Sequence, residues 1–408
     1  MFDYIKIEGF RSFNKVELEM PRLAVLIGPN GGGKSNFVDL LMLMAEAGRG
    51  ELAVGVNKRG GFRNIAFGFD SSQEVRAEFH FRELRTQISD RLFVPEEKTF
   101  DIRYRVGLRG LGVNFRVWEE QVRVKPPDER SSDYGGGTKM VVNTMVDRNE
   151  RETVFRSSKG PELQVEERKS IGDVELAIFQ VRDPDKYKEP WSVLQQLQAM
   201  AFYRDIGVGP ESRVRQPALI RPDILLLPDG SNLSSVLFSM QQDYPDLWSE
   251  ITDNLHTAYR DFVRLRVSAG GGDGKVHLRW FERHFEKEGI SANLLSDGTL
   301  KLLCLIAILK TPDPPPLICI DEPELGLHPD WIELVAELLQ DAAERTQVIV
   351  ATHSPHIVAK LDPDQVIVTE KENGETRLER LSAKDLEKWL RDFNLADLWL
   401  AGEIGGRP

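Results

Sequence analysis

Three stretches of the chain carry residue types and spacings suited to phosphate chemistry. Gly28-Pro29-Asn30-Gly31-Gly32-Gly33-Lys34-Ser35 matches G-x-x-x-x-G-K-[ST]. Glycines let a backbone wrap an anion so that several N–H groups point inward. The helix that follows adds the positive end of its dipole. Lys34 can reach β- and γ-phosphates, and the Ser35 hydroxyl can ligate Mg²⁺. The candidate phosphate-binding residues are Asn30, Gly31, Gly33, Lys34, Ser35 and the next residue, Asn36. In the second stretch, Leu317-Ile318-Cys319-Ile320 runs into Asp321-Glu322. Asp321 suits a direct or water-mediated Mg²⁺ contact, and Glu322 suits a general base that polarises an attacking water. In the third, Val348-Ile349-Val350-Ala351 leads to Thr352-His353, and His353 can hydrogen-bond a γ-phosphate oxygen.

A fourth stretch, Leu295-Ser296-Asp297-Gly298-Thr299, opens an apolar helix. Its Ser296 hydroxyl, the Gly298 N–H and the helix dipole make another anion site. Alone, Ser296 reads as an ordinary N-cap. Because the chain already holds a phosphate site, a second cap for a terminal phosphate points to a second subunit.

Strands and helices must place these groups. Leu23-Ala24-Val25-Leu26-Ile27 is continuously apolar, as is a strand buried on both faces, and it feeds the glycine loop. A helical pattern follows through Phe37, Val38, Leu41 and Met44 and stops at Gly48 to Gly50. Residues 4–8 and 16–18 alternate, and 62–125 reads as several antiparallel strands, with clear alternation at 77–81 and 101–106. A polar, Gly-rich loop is expected at 126–137, and edge strands at 139–170. From 190 to 265 the spacing is helical, through Leu197 and later Leu247, Ile251, Leu255, Tyr259 and Phe262. Prolines at 312–316 end the helix that starts near 297, and buried strands at 317–320 and 347–351 bracket a helix at 330–344. Parallel-type strands at both ends of the chain, with antiparallel and helical material between, predict one α/β core split by a long insertion.

Composition narrows the function further. The 408 residues carry 53 Lys and Arg against 65 Asp and Glu, a net charge of −12, so bulk attraction to nucleic acid is excluded and any such contact needs a local basic patch. Arg103, Arg105, Arg109, Arg116, Arg123 and Lys125 form one such stretch, interrupted by Glu119 and Glu120; a solvated strand face explains it slightly better. The 2 cysteines, Cys304 and Cys319, sit in apolar runs and fit a reducing cytosol rather than a disulfide framework. No signal core opens the chain, and its longest strongly apolar run, 302–309, is far short of a membrane span. The expectation is a cytoplasmic protein.

In order along the chain, these motifs resemble the ABC-type ATPases, and within them the SMC/RecF/OLD-like branch. Ile5-Lys6-Ile7-Glu8-Gly9-Phe10-Arg11-Ser12-Phe13 resembles that branch's first strand and turn, and Gly28 to Asn36 its Walker A. Leu295 to Thr299 resembles the signature, Leu317 to Glu324 Walker B, Gly326-Leu327-His328-Pro329 the D-loop, and His353 the switch histidine. The set also resembles bacterial predicted ATPases with the same Ser-Asp-Gly-Thr signature. Asp297 departs from the glycine that transporter ATPases usually carry, the Q-loop has no clear position, and the insertion lacks the heptads of long-armed SMC proteins. No acidic cluster of the Toprim nuclease type is evident.

The resemblance implies a P-loop NTPase fold of ABC type, a mixed sheet split by an α+β insertion. Residues 1–75 and 291–381 would form the ATPase core, 76–190 a β-rich part, 191–290 a helical arm, and 382–408 a C-terminal helix and tail. It implies ATP and Mg²⁺, with Ser35 and Asp321 on the metal and Lys34, Glu322 and His353 in catalysis. It also implies an ATP-dependent homodimer in which Ser296 and Gly298 cap the partner's nucleotide. Two readings of the output follow: action on DNA in repair or anti-phage defence, or control of a separately encoded nuclease or toxin without direct DNA binding. For the second, Leu386, Trp389, Leu390, Phe393, Leu398 and Trp399 offer an apolar C-terminal surface. A membrane transporter role is disfavoured by the insertion and by the Phe-Arg-Ser-Phe turn.

Overall fold

The computed structural model describes residues 1–86, 98–125, 143–159, 162–222, 224–270, 272 and 274–406. The loop expected at 126–137 lies outside the described residues. In chain order the strands are β1 (Tyr4–Phe10), β2 (Phe13–Glu19), β3 (Leu23–Ile27), β4 (Glu74–Thr86), β5 (Lys98–Leu111), β6 (Asn114–Lys125), β7 (Asn143–Arg148), β8 (Thr153–Lys159) and β9 (Glu162–Lys169). They continue as β10 (Ala201–Tyr203), β11 (Ala218–Leu219), β12 (Phe262–Ala269), β13 (Lys275–Glu282), β14 (Ile290–Ser291), β15 (Leu317–Asp321), β16 (Gln347–Ala351), β17 (Val366–Glu372) and β18 (Glu375–Arg380). The chain divides into two compact units.

The first unit comprises Met1–Pro21, Asn30–Met200 and Thr369–Arg380. Its frame is an antiparallel sheet in the order β2-β1-β4-β5-β6-β7-β8-β9. Alternation decides its faces: Ile5, Ile7, Phe79, Phe81, Ile102 and Tyr104 are buried, while their chain neighbours are polar. The helix Lys188–Gln198 packs on β4 to β7, and the helix Lys34–Gly48 packs on that helix. A Cβ at Gly48 would stand 2.9 Å from Leu197 Cβ, so the two helices meet where only glycine fits. Strand structure does not begin at 62. Gly60 and Gly61 adopt φ of 85° and 90° and turn the chain into a helical turn at Phe62–Ile65, so the sheet resumes only at Glu74.

The second unit comprises Arg22–Pro29, Ala201–Val368 and Leu381–Pro408. Its sheet holds parallel strands in the order β10-β15-β16-β3-β17. Leu23–Ile27 and Gln347–Ala351 are buried throughout, which is why residues 23–27 and 348–351 read as unbroken apolar runs. The helices Asp297–Leu309 and Pro329–Arg345 bury their apolar residues in the same core. A smaller sheet, β11-β13-β12 with β14 on β13, completes the unit.

Two features correct the helical reading of 190–265. Ala201–Tyr203 is a core strand parallel to β15, too short for periodicity to reveal. The helix Pro245–Ala258 also ends before Tyr259 and Phe262. Both rings pack on Trp280, at centroid distances of 5.8 and 4.5 Å, and Phe262 opens the alternating strand β12. Cys304 and Cys319 are buried and free, and burial pushes both thiols up, Cys304 to about 12. Among the described residues no helix is long and apolar enough to cross a membrane.

Candidate active site

β15, β16 and β3 run parallel, so their C-terminal ends share one edge of the second unit's sheet. The register sets Asp321 beside Ala351 and Ala351 beside Leu26. Backbone bonds extend this alignment past the strands: Glu322 N donates to Ala351 O at 2.8 Å, and Thr352 N to Leu26 O at 3.1 Å. That edge therefore gathers Asp321, Glu322 and His353, with Gly28 following β3 there.

Glu322 itself stands at φ 48°, in the left-handed region that a side chain with a Cβ rarely adopts. Such a conformation costs on the order of 1–3 kcal/mol and persists where the surroundings fix it. Here the Ala351 bond and the buried Pro323 flank it. Glu324 ties the acids to the histidine strand: its Oε1 accepts from Thr352 Oγ1 at 2.7 Å and from His353 N at 2.9 Å. The sequence reading gave Glu324 no role, although it closes the Asp-Glu-Pro-Glu run. Two basic groups at this edge were also missed. Arg204, one residue beyond β10, brings Nε to 3.5 Å from Asp321 Oδ2. Lys301, buried on the helix Asp297–Leu309, has its ammonium pulled below the usual lysine range by burial, against Cys304, Asp205, Glu324 and Glu322.

In the first unit the phosphate loop bends through glycines, with Gly31 at φ 78° and Gly33 at φ 116°. A Cβ on Gly33 would lie 2.5 Å from Thr376 Cγ2 and Oγ1, so this position excludes every other residue. Thr376 Oγ1 lies 3.0 Å from Gly32 O and 2.8 Å from Ser12 Oγ, and Asn36 Nδ2 donates to Ser12 Oγ at 2.7 Å. Arg11 extends the brace, with Nη1 3.2 Å from Asn36 Oδ1 and Nη2 2.6 Å from Asp39 Oδ2. Thr376 and Ser12 thus back the loop, a role visible only once β18 is placed beside β2. Lys34 is buried at the start of its helix, whereas Asn30, Gly31 and Ser35 are exposed and Asn36 is half-buried.

Ser296 and Gly298 belong to the second unit, at the start of the helix Asp297–Leu309. Ser296 is exposed and caps that helix, its Oγ accepting from Thr299 N at 3.1 Å. A Cβ at Gly298 would come within 2.9 Å of Gly326 O, so the signature and the Gly326-Leu327-His328 loop touch. Leu294 and Leu325, beside those two loops, are exposed at 73% and 67%.

Much of the basic stretch is neutralised. Arg105 bonds Glu78, with 2.7 Å from Nε to Oε2, and Arg109 bonds Glu74 and Glu150. Arg103 and Arg123 sit opposite one another on β5 and β6, and among the described residues neither is in an ion pair. At the C-terminus Leu398 and Trp399 are buried, and Trp399 Nε1 donates to Gly406 O at 2.8 Å; Trp389 and Phe393 remain exposed.

The crystal structure of an "SmcHead bound to the C-winged helix domain of ScpA" is similar over 95% of this chain and 99% of that one, with a TM-score of 0.53 and 13% identity. The Smc head domain with an extended coiled coil bound to the C-terminal domain of ScpA, from Pyrococcus furiosus, is similar over 96% and 98%, with a TM-score of 0.52 and 13% identity. At this identity the likeness is one of fold: the chain has the ABC-type P-loop architecture of an SMC head. No curated protein matches it in sequence. A family model described as "AAA domain, putative AbiEii toxin, Type IV TA system" matches residues 143–359, more than half of the chain and including residues 295–299, both acids and His353, and the chain belongs to that family.

Proposed function

We propose that the protein hydrolyses ATP as a switch in which two copies close around nucleotide. The carrying observation is the strand edge of the second unit, which gathers Asp321, Glu322 and His353 at the C-terminal ends of β15 and β16, next to β3. In this reading Asn30, Gly31, Gly33, Lys34, Ser35 and Asn36 bind the phosphates. Glu322 takes the proton of the attacking water, and His353 contacts the γ-phosphate. Ser296 and Gly298 act on the nucleotide of the second copy. The exposed Leu294 and Leu325 beside the signature and its neighbouring loop support a face that a second copy covers.

The residues suit a cation shared with phosphate. Among the described residues no group of three or more His, Cys, Asp and Glu is placed to hold a metal ion. Mg²⁺ needs few protein ligands and keeps water and phosphate oxygens, and the hydroxyl of Ser35 and the carboxylate of Asp321 are oxygen donors of the kind it takes. When bound, it would neutralise charge on the β- and γ-phosphates.

Two outputs are compatible with this switch. Action on DNA, in repair or anti-phage defence, is supported by the cross-strand neighbours Arg103 and Arg123, which have no ion pair among the described residues, and by the SMC-head fold. Control of a separate effector is supported by the toxin–antitoxin description of the family and by the exposed Trp389 and Phe393. A buried core, cytoplasmic-type free thiols and the absence of a spanning helix among the described residues fit either.

Phosphate release from ATP with Mg²⁺ tests the enzymatic part. Lys34→Ala should lose nucleotide binding, and Glu322→Gln should bind ATP while turnover falls about 10²- to 10⁴-fold. Turnover by Lys34→Ala at the wild-type rate would refute the assignment. Fluorescence anisotropy of a labelled duplex at low salt separates the outputs: an ATP-dependent rise with Glu322→Gln supports DNA, and none supports the effector.

A further inference from the structure

We propose that Arg215 is the positioning residue that shapes the signature loop, and that Asp297 is present as its partner. The inference rests on the two-copy reading above.

Arg215 is 7% exposed. Arginine does not shed its charge, and a buried cation costs several kcal/mol unless it is paired and hydrogen-bonded. Here all three of its nitrogens are hydrogen-bonded. Nη2 bonds Asp297 Oδ1, and Nη1 donates to Leu295 O at 2.7 Å and Asn293 O at 3.3 Å. Nε faces Val208 O at 2.8 Å and Gly209 O at 3.0 Å. One guanidinium therefore fixes the carbonyls on the approach to Ser296 and the side chain just after it. It joins that loop to the segment leaving β10.

The loop needs such a fixture. Leu295 and Ser296 are extended, at ψ 151° and 154°, and the chain turns helical at Asp297. Leu294, Ser296 and Asp297 face outward, so packing alone does not set their backbone. Ser296 Oγ and the Gly298 N–H must be aimed within a fraction of an ångström to cap a phosphate of another copy. The Asp297 side chain is 60% exposed, which makes it a poor core element and a suitable tether. A glycine there would have no carboxylate to offer the arginine, so the departure from the transporter signature has a physical reason in this chain.

The test uses the full chain with ATP and Mg²⁺. Asp297→Ala and Arg215→Gln, each first checked for folding by thermal melting, are expected to lower turnover about tenfold to a hundredfold. ATP affinity, measured on dilute protein, should stay within about twofold, because neither residue belongs to the loop at 28–35. Asp297→Asn, whose amide oxygen still accepts from the guanidinium, should recover most of the loss. The double variant should be no worse than the worse single one, since both remove the same contact. In the Glu322→Gln background, ATP-driven association should weaken in parallel. Wild-type turnover in Asp297→Ala overturns the proposal, as do effects of the two changes that multiply. If Arg215→Gln does not fold, the Asp297 pair of variants decides alone. If Glu322→Gln itself never associates with ATP, the two-copy reading falls and takes this inference with it. If it associates and Asp297→Ala changes nothing, only the inference falls.

Discussion

Gly33 shows how closely single residues are constrained at this site. Its φ of 116° and the 2.5 Å approach of Thr376 leave no room for a methyl group. Gly33→Ala is expected to cost on the order of 1–3 kcal/mol of stability and to weaken ATP binding at least about tenfold. Adding Thr376→Ala removes the clash and leaves the backbone strain, so calorimetry of the double variant should show partial recovery only. Full recovery would mean that crowding alone set the requirement for glycine, and no loss in Gly33→Ala would contradict the geometry. The glycine and lysine of this loop were legible from sequence because spacing encodes them. Thr376 and Ser12, 364 residues apart, were not. Ser12 lies in the motif at 5–13 and Thr376 in none, and only the fold joins them. Arg204 and Arg215 carry no local pattern either, and Glu324, though inside the Asp-Glu-Pro-Glu run, finds its partners at Thr352 and His353.

At the scale of elements, the antiparallel sheet is held partly by charge. Burial pushes the Glu78 carboxyl up, but hydrogen bonds from His80 and Arg105 outweigh it and hold the group at about 2, below its ordinary 4.5. A depressed carboxyl stabilises the fold above about 4.5, and that contribution fades as pH falls from there through about 2. Glu78→Gln should therefore lower stability at pH 7 by about 1–3 kcal/mol and narrow the gap between pH 7 and pH 3. Thermal unfolding at the two pH values checks it; an unchanged gap would contradict the ion-pair account. Continuous apolar runs were legible: the strands read at 23–27, 317–320 and 347–351 and the helix from near 297 emerge at nearly those limits. The three-residue strand at Ala201–Tyr203 was not, because a strand that short has no period to read. Tyr259 and Phe262 misled in the opposite sense, since rings gathered on Trp280 happen to fall at helical spacing.

For the whole molecule, the matter is whether one copy suffices. The signature residues Ser296 and Gly298 share a surface with the Gly326 loop and with two exposed leucines, an arrangement that suits a second copy. The most direct measurement is light scattering after size exclusion on Glu322→Gln, with and without ATP and Mg²⁺. The account predicts monomer without nucleotide and a stable dimer of 46.3 kDa chains with it, abolished by a further Ser296→Arg. A mass that stays monomeric with saturating ATP, while the wild type turns ATP over at its full rate at the same dilution, would contradict it.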